Sequence, residues 1–350
     1  MNNMRDPVFD IVKFIVMIGV VAGHCAAYGL TDGGMFQPYI GNVVVGLSMP
    51  TFFAISGFFA AKSIDRANNS QVLARIAGFV WPLISFGIVF AFIAYFRGEL
   101  SVSEACAYPV RRLIGEGWFL RTLAIIYLIF AIIWNISTRK ECVRGVLVCV
   151  VYAVLFFMPR QGVFYWSSSV FHMFPYFAFG AIVLRKYNVY KNHMISVICG
   201  LIFILVVIFE GDVRTNGMGF YWVASNWQDI VTSLRDLSCL LARTLLGCAG
   251  TVFLLWFVGR LLAVIPILEK VAGLGTTTLG VYVIHEWPII HVARIGGFHM
   301  LGPKWQWPMG LAIFFICHFL TTAIRRNAYL KIFFFGDEKW LASVFSRLRI

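Results

Sequence analysis

Apolar runs of roughly bilayer length recur from one end of the chain to the other, with short polar breaks between them. A helix rises about 1.5 Å per residue, so about twenty apolar residues cross a hydrocarbon core some 30 Å thick. In lipid every backbone polar group must be satisfied within the segment, which selects helices. The pattern therefore predicts an all-α fold, a polytopic transmembrane helical bundle. Ten spans are expected, near residues 8–28, 40–61, 74–96, 118–136, 144–159, 167–185, 194–210, 239–258, 276–293 and 308–324. The apolar stretch 260–268 is short, is interrupted by Pro266, and reads as interfacial. The longest polar stretches are a 97–117 loop, a 210–238 loop and the tail after Arg325. None is large enough for a separate soluble domain. The expected organisation is a transmembrane domain over 1–325 and a basic cytoplasmic tail over 326–350. The first run contains Lys13 and is followed by more membranous chain, so it reads as a first span and not a cleaved signal. No internal repeat stands out, which counts modestly against the paired-halves design of many transporters.

Composition agrees. Of 350 residues, 60% are hydrophobic and only 13% charged, about half the charged share of a soluble protein. The net charge of +13 would suit nucleic acid in a soluble chain. Here it is read as cations gathered on the cytoplasmic side, with membrane lipids and a phosphorylated small molecule as partners and no nucleic acid. With the N-terminus inside, the inner segments collect most of the basic residues, including Lys62, Arg75, Lys140, Arg144, Arg185, Lys186, Arg260, Lys270, Arg325 and Arg326. Both termini are then expected in the cytoplasm, in the inner (plasma) membrane of the cell. The 97–117 loop, with Arg97, Arg111 and Arg112, fits this orientation least well. Eight cysteines show no paired spacing and read as small buried hydrophobes. No pair of histidines has a recognisable ligand spacing with Cys, Asp or Glu, so no metal is expected. Trp305, Trp307, Trp340 and Phe333 to Phe335 read as interfacial anchors.

Two polar residues stand out inside the first run, FDIVKFIVMIGVVAGHCAAYGL: Lys13 and His24, eleven residues apart. That spacing is close to three helical turns, so both lie on one face, roughly 16 Å apart along the axis. An intramembrane cation and imidazole are costly and point to a functional site. The plainer alternative is a snorkelling lysine and a histidine bonded to a carbonyl. Lys13 near the inner mouth suits phosphate, and His24, three turns deeper, suits proton transfer. A cofactor with an anionic head and a long neutral arm ending in a reactive group fits that separation, and acyl-coenzyme A is the obvious candidate. Asp10 lies three residues before Lys13 and reads as positioning the lysine.

The residues also resemble a known family. Lys13 and His24 match the Arg/Lys-x10-His motif of the membrane-bound acyltransferase-3 family, and DIVKFIVMIGVVAGH is similar to its opening helix. MPTFFAISGFF (49–59), GWFLRTLAIIYLI (117–129), FPYFAFGAIVLRK (174–186) and LGVYVIHEWPI (279–289) resemble further family segments, in order along the chain. One departure is clear. The family often carries Arg-x-x-Arg before the third helix, whereas QVLARIAGFVWP leaves Arg75 alone. The chain also ends after the last span, without the soluble domain some members add.

The resemblance implies an O-acyltransferase that moves an acyl group, commonly acetyl, to a hydroxyl of a glycan or its lipid-linked precursor. Acetyl-CoA would be the donor and His24 the general base. Lys13, with Arg75 as helper, would hold cofactor phosphate. Ser56, Trp118, Arg121, Tyr282 and His285 become candidate supporting residues. Each has a plainer alternative. Ser56 beside Gly57 permits close helix packing, and Arg121 can pair with Glu116 at the membrane edge. Tyr282 and His285 share a helix face and can form a structural bond between spans, while Glu286 is expected to point elsewhere. The rival from another class is a proton-coupled secondary transporter of an anionic solute, with Lys13, Arg75 and Arg121 binding it and His24 relaying protons. N-acylation of a small amine is a third reading.

Overall fold

The computed structural model describes residues 6–27, 38–65, 68–115, 117–137, 140–158, 165–209, 230–294 and 303–347. Among these residues the structure is helical, without strands. The elements are α1 (Pro7–Ala27), α2 (Pro38–Ile64), α3 (Asn69–Phe96), α4 (Val102–Ile114), α5 (Trp118–Ile136), α6 (Glu141–Phe157), α7 (Tyr165–Phe179), α8 (Arg185–Tyr187), α9 (His193–Phe209), α10 (Ile230–Val264), α11 (Ala272–Gly275), α12 (Thr278–Ile284), α13 (Glu286–Arg294), α14 (Gln306–Arg326), α15 (Ala328–Phe335) and α16 (Glu338–Arg347). A wide π turn, Gly180–Leu184, joins α7 to α8.

Each of the ten expected spans overlaps helix among the described residues. Seven are long and apolar enough to cross a membrane, or eight when a pair bent by 45° near Thr276 and Thr277 counts as one span. The other two, α6 and α9, have 17 residues each, at the short end of the crossing range. The chain is a polytopic helical bundle. Its lipid-facing surface is legible in exposed side chains such as Phe92, Phe96, Ile132, Ile136, Leu201 and Leu205. Apolar surface of that extent is stable only against lipid or another chain.

Two expected irregular regions differ. Part of the 97–117 loop folds as α4. Ser101 accepts from the Glu104 N–H while Glu104 reaches back to the Ser101 N–H, a capping box that starts the helix. The tail after Arg325 carries α15 and α16, and Asp337 caps the latter by accepting from Lys339 and Trp340 N–H. Of the 210–238 loop, residues 210–229 lie outside the described residues, and 230–238 form the start of α10.

The chain divides into two compact units, with boundaries inside α2, α7 and α14. The first comprises residues 1–58 and 175–319. Its core joins Phe9, Val12, Ala54, Ile55, Leu184, Tyr190, Val252, Leu255 and Val258. Glycine allows the closest approaches. A Cβ at Gly57 would run into the Phe177 carbonyl, and one at Gly180 into the Ala54 carbonyl. Between helices in lipid, van der Waals packing of this kind replaces the hydrophobic drive.

The second unit comprises residues 59–174 and 320–350. In it α3 is the hub. Trp81 donates to the Phe333 carbonyl at 2.8 Å and Ser85 to the Phe334 carbonyl at 2.9 Å. These bonds satisfy carbonyls in the last turn of α15, which has no intrahelical partner for them. Buried Arg112 of α4 lies over the Phe90 ring, 4.5 Å from its centroid.

Candidate active site

The site grows from α1. Pro7 opens the helix at the position where a missing N–H costs nothing. Two contacts then fix the helix along its length. Near its start, Gly275 of α11 sits against the Asp10 backbone, where a side chain would collide with the Asp10 carbonyl. Near its end, buried Gln306 donates to the Ala22 carbonyl at 3.1 Å, and a Cβ at Gly310 would stand 2.8 Å from the Ala22 Cα. His24 therefore leaves a backbone held on both sides.

Three polar side chains meet at this point. The His24 Nδ1 is 3.3 Å from a Glu286 carboxylate oxygen, and the His24 and His285 rings lie 4.9 Å apart between centroids. His285 is fully buried. Its Nδ1 faces two backbone oxygens, Tyr282 at 2.8 Å and Val281 at 3.1 Å. Carbonyls only accept, so this nitrogen carries the proton and Nε2 carries the lone pair. That Nε2 finds no hydrogen-bond partner among the described residues. Tyr282 stacks obliquely beside His285 at 5.8 Å, as their shared helix face predicts.

Glu286 does not point elsewhere, contrary to the sequence expectation. Consecutive helical residues are about 100° apart, so two neighbours can flank a group that sits between their directions. His24 occupies that place. The signal in the sequence was the carboxylate itself, because a Glu within an apolar run needs a reason to be there. One donor atom from each of His24, His285 and Glu286 lies within 4.8 Å of the others, a set with the chemistry to hold a metal ion. The absence of any spacing motif hid this grouping, since His24 is far from the other two in sequence.

Lys13 pairs with Asp10 at 2.6 Å. Asp10 is buried, and the lysine side chain keeps 17% exposure. The pair is the one that the three-residue spacing predicts. It also means that the Lys13 charge is already partly balanced. Ser56 is half-buried beside the Gly57 contact with Phe177, and the described contacts do not bring it to His24.

Three other candidates lie in the second unit. Arg75 donates to the Ser63 hydroxyl, which stands 3.3 Å from the Tyr127 hydroxyl. Arg121 reaches the Leu113 carbonyl at 3.4 Å, near the C-terminus of α4, where a cation complements the helix dipole. Its suggested partner Glu116 lies outside the described residues. Half-buried Trp118 packs edge-on against Phe119. The same unit holds a grouping that spacing did not reveal. Asp65 accepts from Trp134 Nε1 at 3.0 Å and lies 3.7 Å from Arg144, whose guanidinium covers the Trp134 ring. These residues border a cavity of about 390 Å³.

Comparison with known proteins gives this geometry a context. The family model described as "acyltransferase domain" matches residues 6–324. The nodulation protein NolL of Sinorhizobium fredii (strain NBRC 101917 / NGR234) is 26% identical over 202 residues, which is 55% of this chain and 52% of that protein. The chain thus spans about half the length of that curated relative. No solved structure matches. The family match runs from α1 into α14 and includes His24, His285 and Glu286, and the chain belongs to the acyltransferase-3 family as a polytopic helical membrane protein.

Proposed function

We propose that the chain is an O-acetyltransferase of the inner (plasma) membrane. It takes an acetyl group from cytoplasmic acetyl-CoA and places it on a sugar hydroxyl of a surface glycan or its lipid-linked precursor. The observation that carries this reading is the seat of His24. It stands on the first helix of a chain of the acyltransferase-3 family, against a carboxylate and a second imidazole, eleven residues beyond a cation on the same helix.

In the proposed reaction His24 is the general base. The acceptor O–H bond breaks as its oxygen adds to the thioester carbonyl carbon, and the proton passes to the imidazole. The tetrahedral adduct then collapses, the C–S bond breaks, and His24 returns the proton to the leaving thiolate. The products are an acetyl ester and coenzyme A. Lys13 holds the phosphate end near the helix start. The pantetheine arm runs along α1, which keeps the thioester from bulk water and limits hydrolysis.

The test is acceptor-dependent thiol release from acetyl-CoA by the purified protein. Mass spectrometry of glycans from cells with and without the protein identifies the product. His24→Ala should fold and insert normally but lose turnover by at least about 10²-fold, the scale of general base catalysis. Near-normal turnover of His24→Ala removes the base. Uptake of an anionic solute into vesicles without thiol release replaces the whole reading with transport.

A further inference from the structure

Resting on the reading of His24 as the base, we propose that Glu286 is the positioning residue that sets its tautomer and balances its charge during transfer. Glu286 is a half-buried carboxylate with 13% side-chain exposure, in the second arm of a bent helix pair apolar enough to cross a membrane. A carboxylate in such a place is costly unless it meets a cation or donor. The group it faces is the His24 Nδ1, at 3.3 Å.

That arrangement selects one form of the neutral ring. A bare Nδ1 lone pair would point at a carboxylate oxygen, and the two would repel. A protonated Nδ1 makes the contact favourable, and then Nε2 carries the lone pair. Nε2 is thereby the nitrogen that takes the acceptor proton. At 3.3 Å the two groups are within ion-pair reach, without the alignment or the usual 2.7–2.9 Å or so of a charge-assisted hydrogen bond. Catalytic contacts of this kind tighten when the ring gains its charge. Once Nε2 has its proton, the imidazolium sits beside Glu286, which stabilises the charged state that exists only along the reaction path.

His285 supports the same polarity. Its Nδ1 is committed to two carbonyls, so its buried Nε2 presents a second fixed lone pair next to His24. It has no proton to offer His24. Protonation of His24 therefore answers to Glu286 on one side and to the substrates on the other. The proton count closes: one proton leaves the acceptor hydroxyl, rests on His24 Nε2, and leaves with coenzyme A. Glu286 stays ionised throughout.

Glu286→Gln keeps the shape and removes the charge. It should lower kcat about 10²-fold or more while the KM for acetyl-CoA stays within about threefold, because the loss falls on the transferred proton and not on donor binding. Glu286→Asp should recover at least about tenfold over Gln. A kcat loss under tenfold, an equal loss through KM, or no recovery by Asp overturns the proposal. Should the Gln variant fail to insert, nitrogen-15 histidine NMR of the wild-type protein decides, with the His24 signal identified by its disappearance in His24→Ala. A proton on Nδ1 supports Glu286, and one on Nε2 overturns it. Turnover lost on chelation and restored by zinc also overturns it, because His24 would then be a ligand. If His24→Ala keeps its turnover, the base assignment has failed. If His24→Ala is dead and Glu286→Gln is normal, only the role of Glu286 has failed.

Discussion

Lys13 carries a charge into a crowded helix face, and Asp10 governs how that charge is used. The pair is short, and Asp10 is buried. Lys13→Ala therefore has two effects. It removes the proposed phosphate ligand, and it leaves a buried carboxylate without that ammonium, which is strongly destabilising. The combined variant Asp10→Asn with Lys13→Met separates the two, because no charge is left behind. It should fold and should raise the KM for acetyl-CoA about 10- to 100-fold, the worth of one charge-assisted contact of about 1.5–3 kcal/mol. Lys13→Arg should stay within about threefold of wild type. An unchanged donor affinity in the combined variant removes Lys13 from the cofactor site. At this scale the sequence was legible where one helix held both partners. Lys13, His24 and Asp10 lie on α1, and helical spacing relates them directly. His285 was legible through its segment. Glu286 was not, because periodicity states which way a residue faces relative to its own helix and cannot state which group of another helix fills the space between two neighbours.

The helices stay in register through glycines whose partners are backbone atoms. Gly180 lies where the π turn begins, and its missing side chain leaves room for the Ala54 carbonyl of α2. A backbone carbonyl cannot rotate away as a long side chain does. Gly180→Ala should therefore cost about 1–3 kcal/mol, as overpacking does, and lower the thermal unfolding temperature in detergent. Gly78 of α3 offers the contrast, since nothing stands within 4 Å of an added Cβ. Gly78→Ala should be neutral or gain about 0.5–1 kcal/mol from helix propensity. Equal melting of the two variants would show that the contact between α2 and the π turn is looser than described. Element boundaries were mostly readable, because lipid imposes a length on apolar runs. The exceptions are instructive. Segment 102–114 looked like a loop because it is amphipathic and short, although Ser101 and Glu104 already spelled a capping box. The bend near Thr276 and Thr277 was not readable, because apolar composition continues on both sides of it.

At the scale of the whole molecule, the remaining question is which face of the membrane each end of α1 meets. Charge bias predicts an answer from the sequence, and the structure gives local roles to cations in the weakest part of that bias. Arg112 is packed over Phe90, and Arg97 pairs with Glu99 at 3.0 Å, so two of the three cations in the 97–117 segment have local structural roles. Two native cysteines make the orientation measurable. Cys106 on α4 and Cys142 at the start of α6 are both exposed, and α5, with 19 residues, lies between them. If α5 crosses the membrane, the two thiols must be on opposite sides, whatever the charges do. Variants that keep one of the two thiols, treated with a membrane-impermeant maleimide on intact cells, separate the questions. Cys106 should label from outside, and Cys142 only after permeabilisation, since Lys140 and Arg144 flank it and favour the cytoplasm. Labelling of both from one side would remove α5 as a span. The reversed pattern would keep α5 but invert the protein. Three spans, α1 to α3, separate the Lys13 end of α1 from Cys106, and an odd number of crossings puts those points on opposite faces. The label on Cys106 thus reports which compartment the Lys13 end faces, and so whether the charged head of cytoplasmic coenzyme A can reach it.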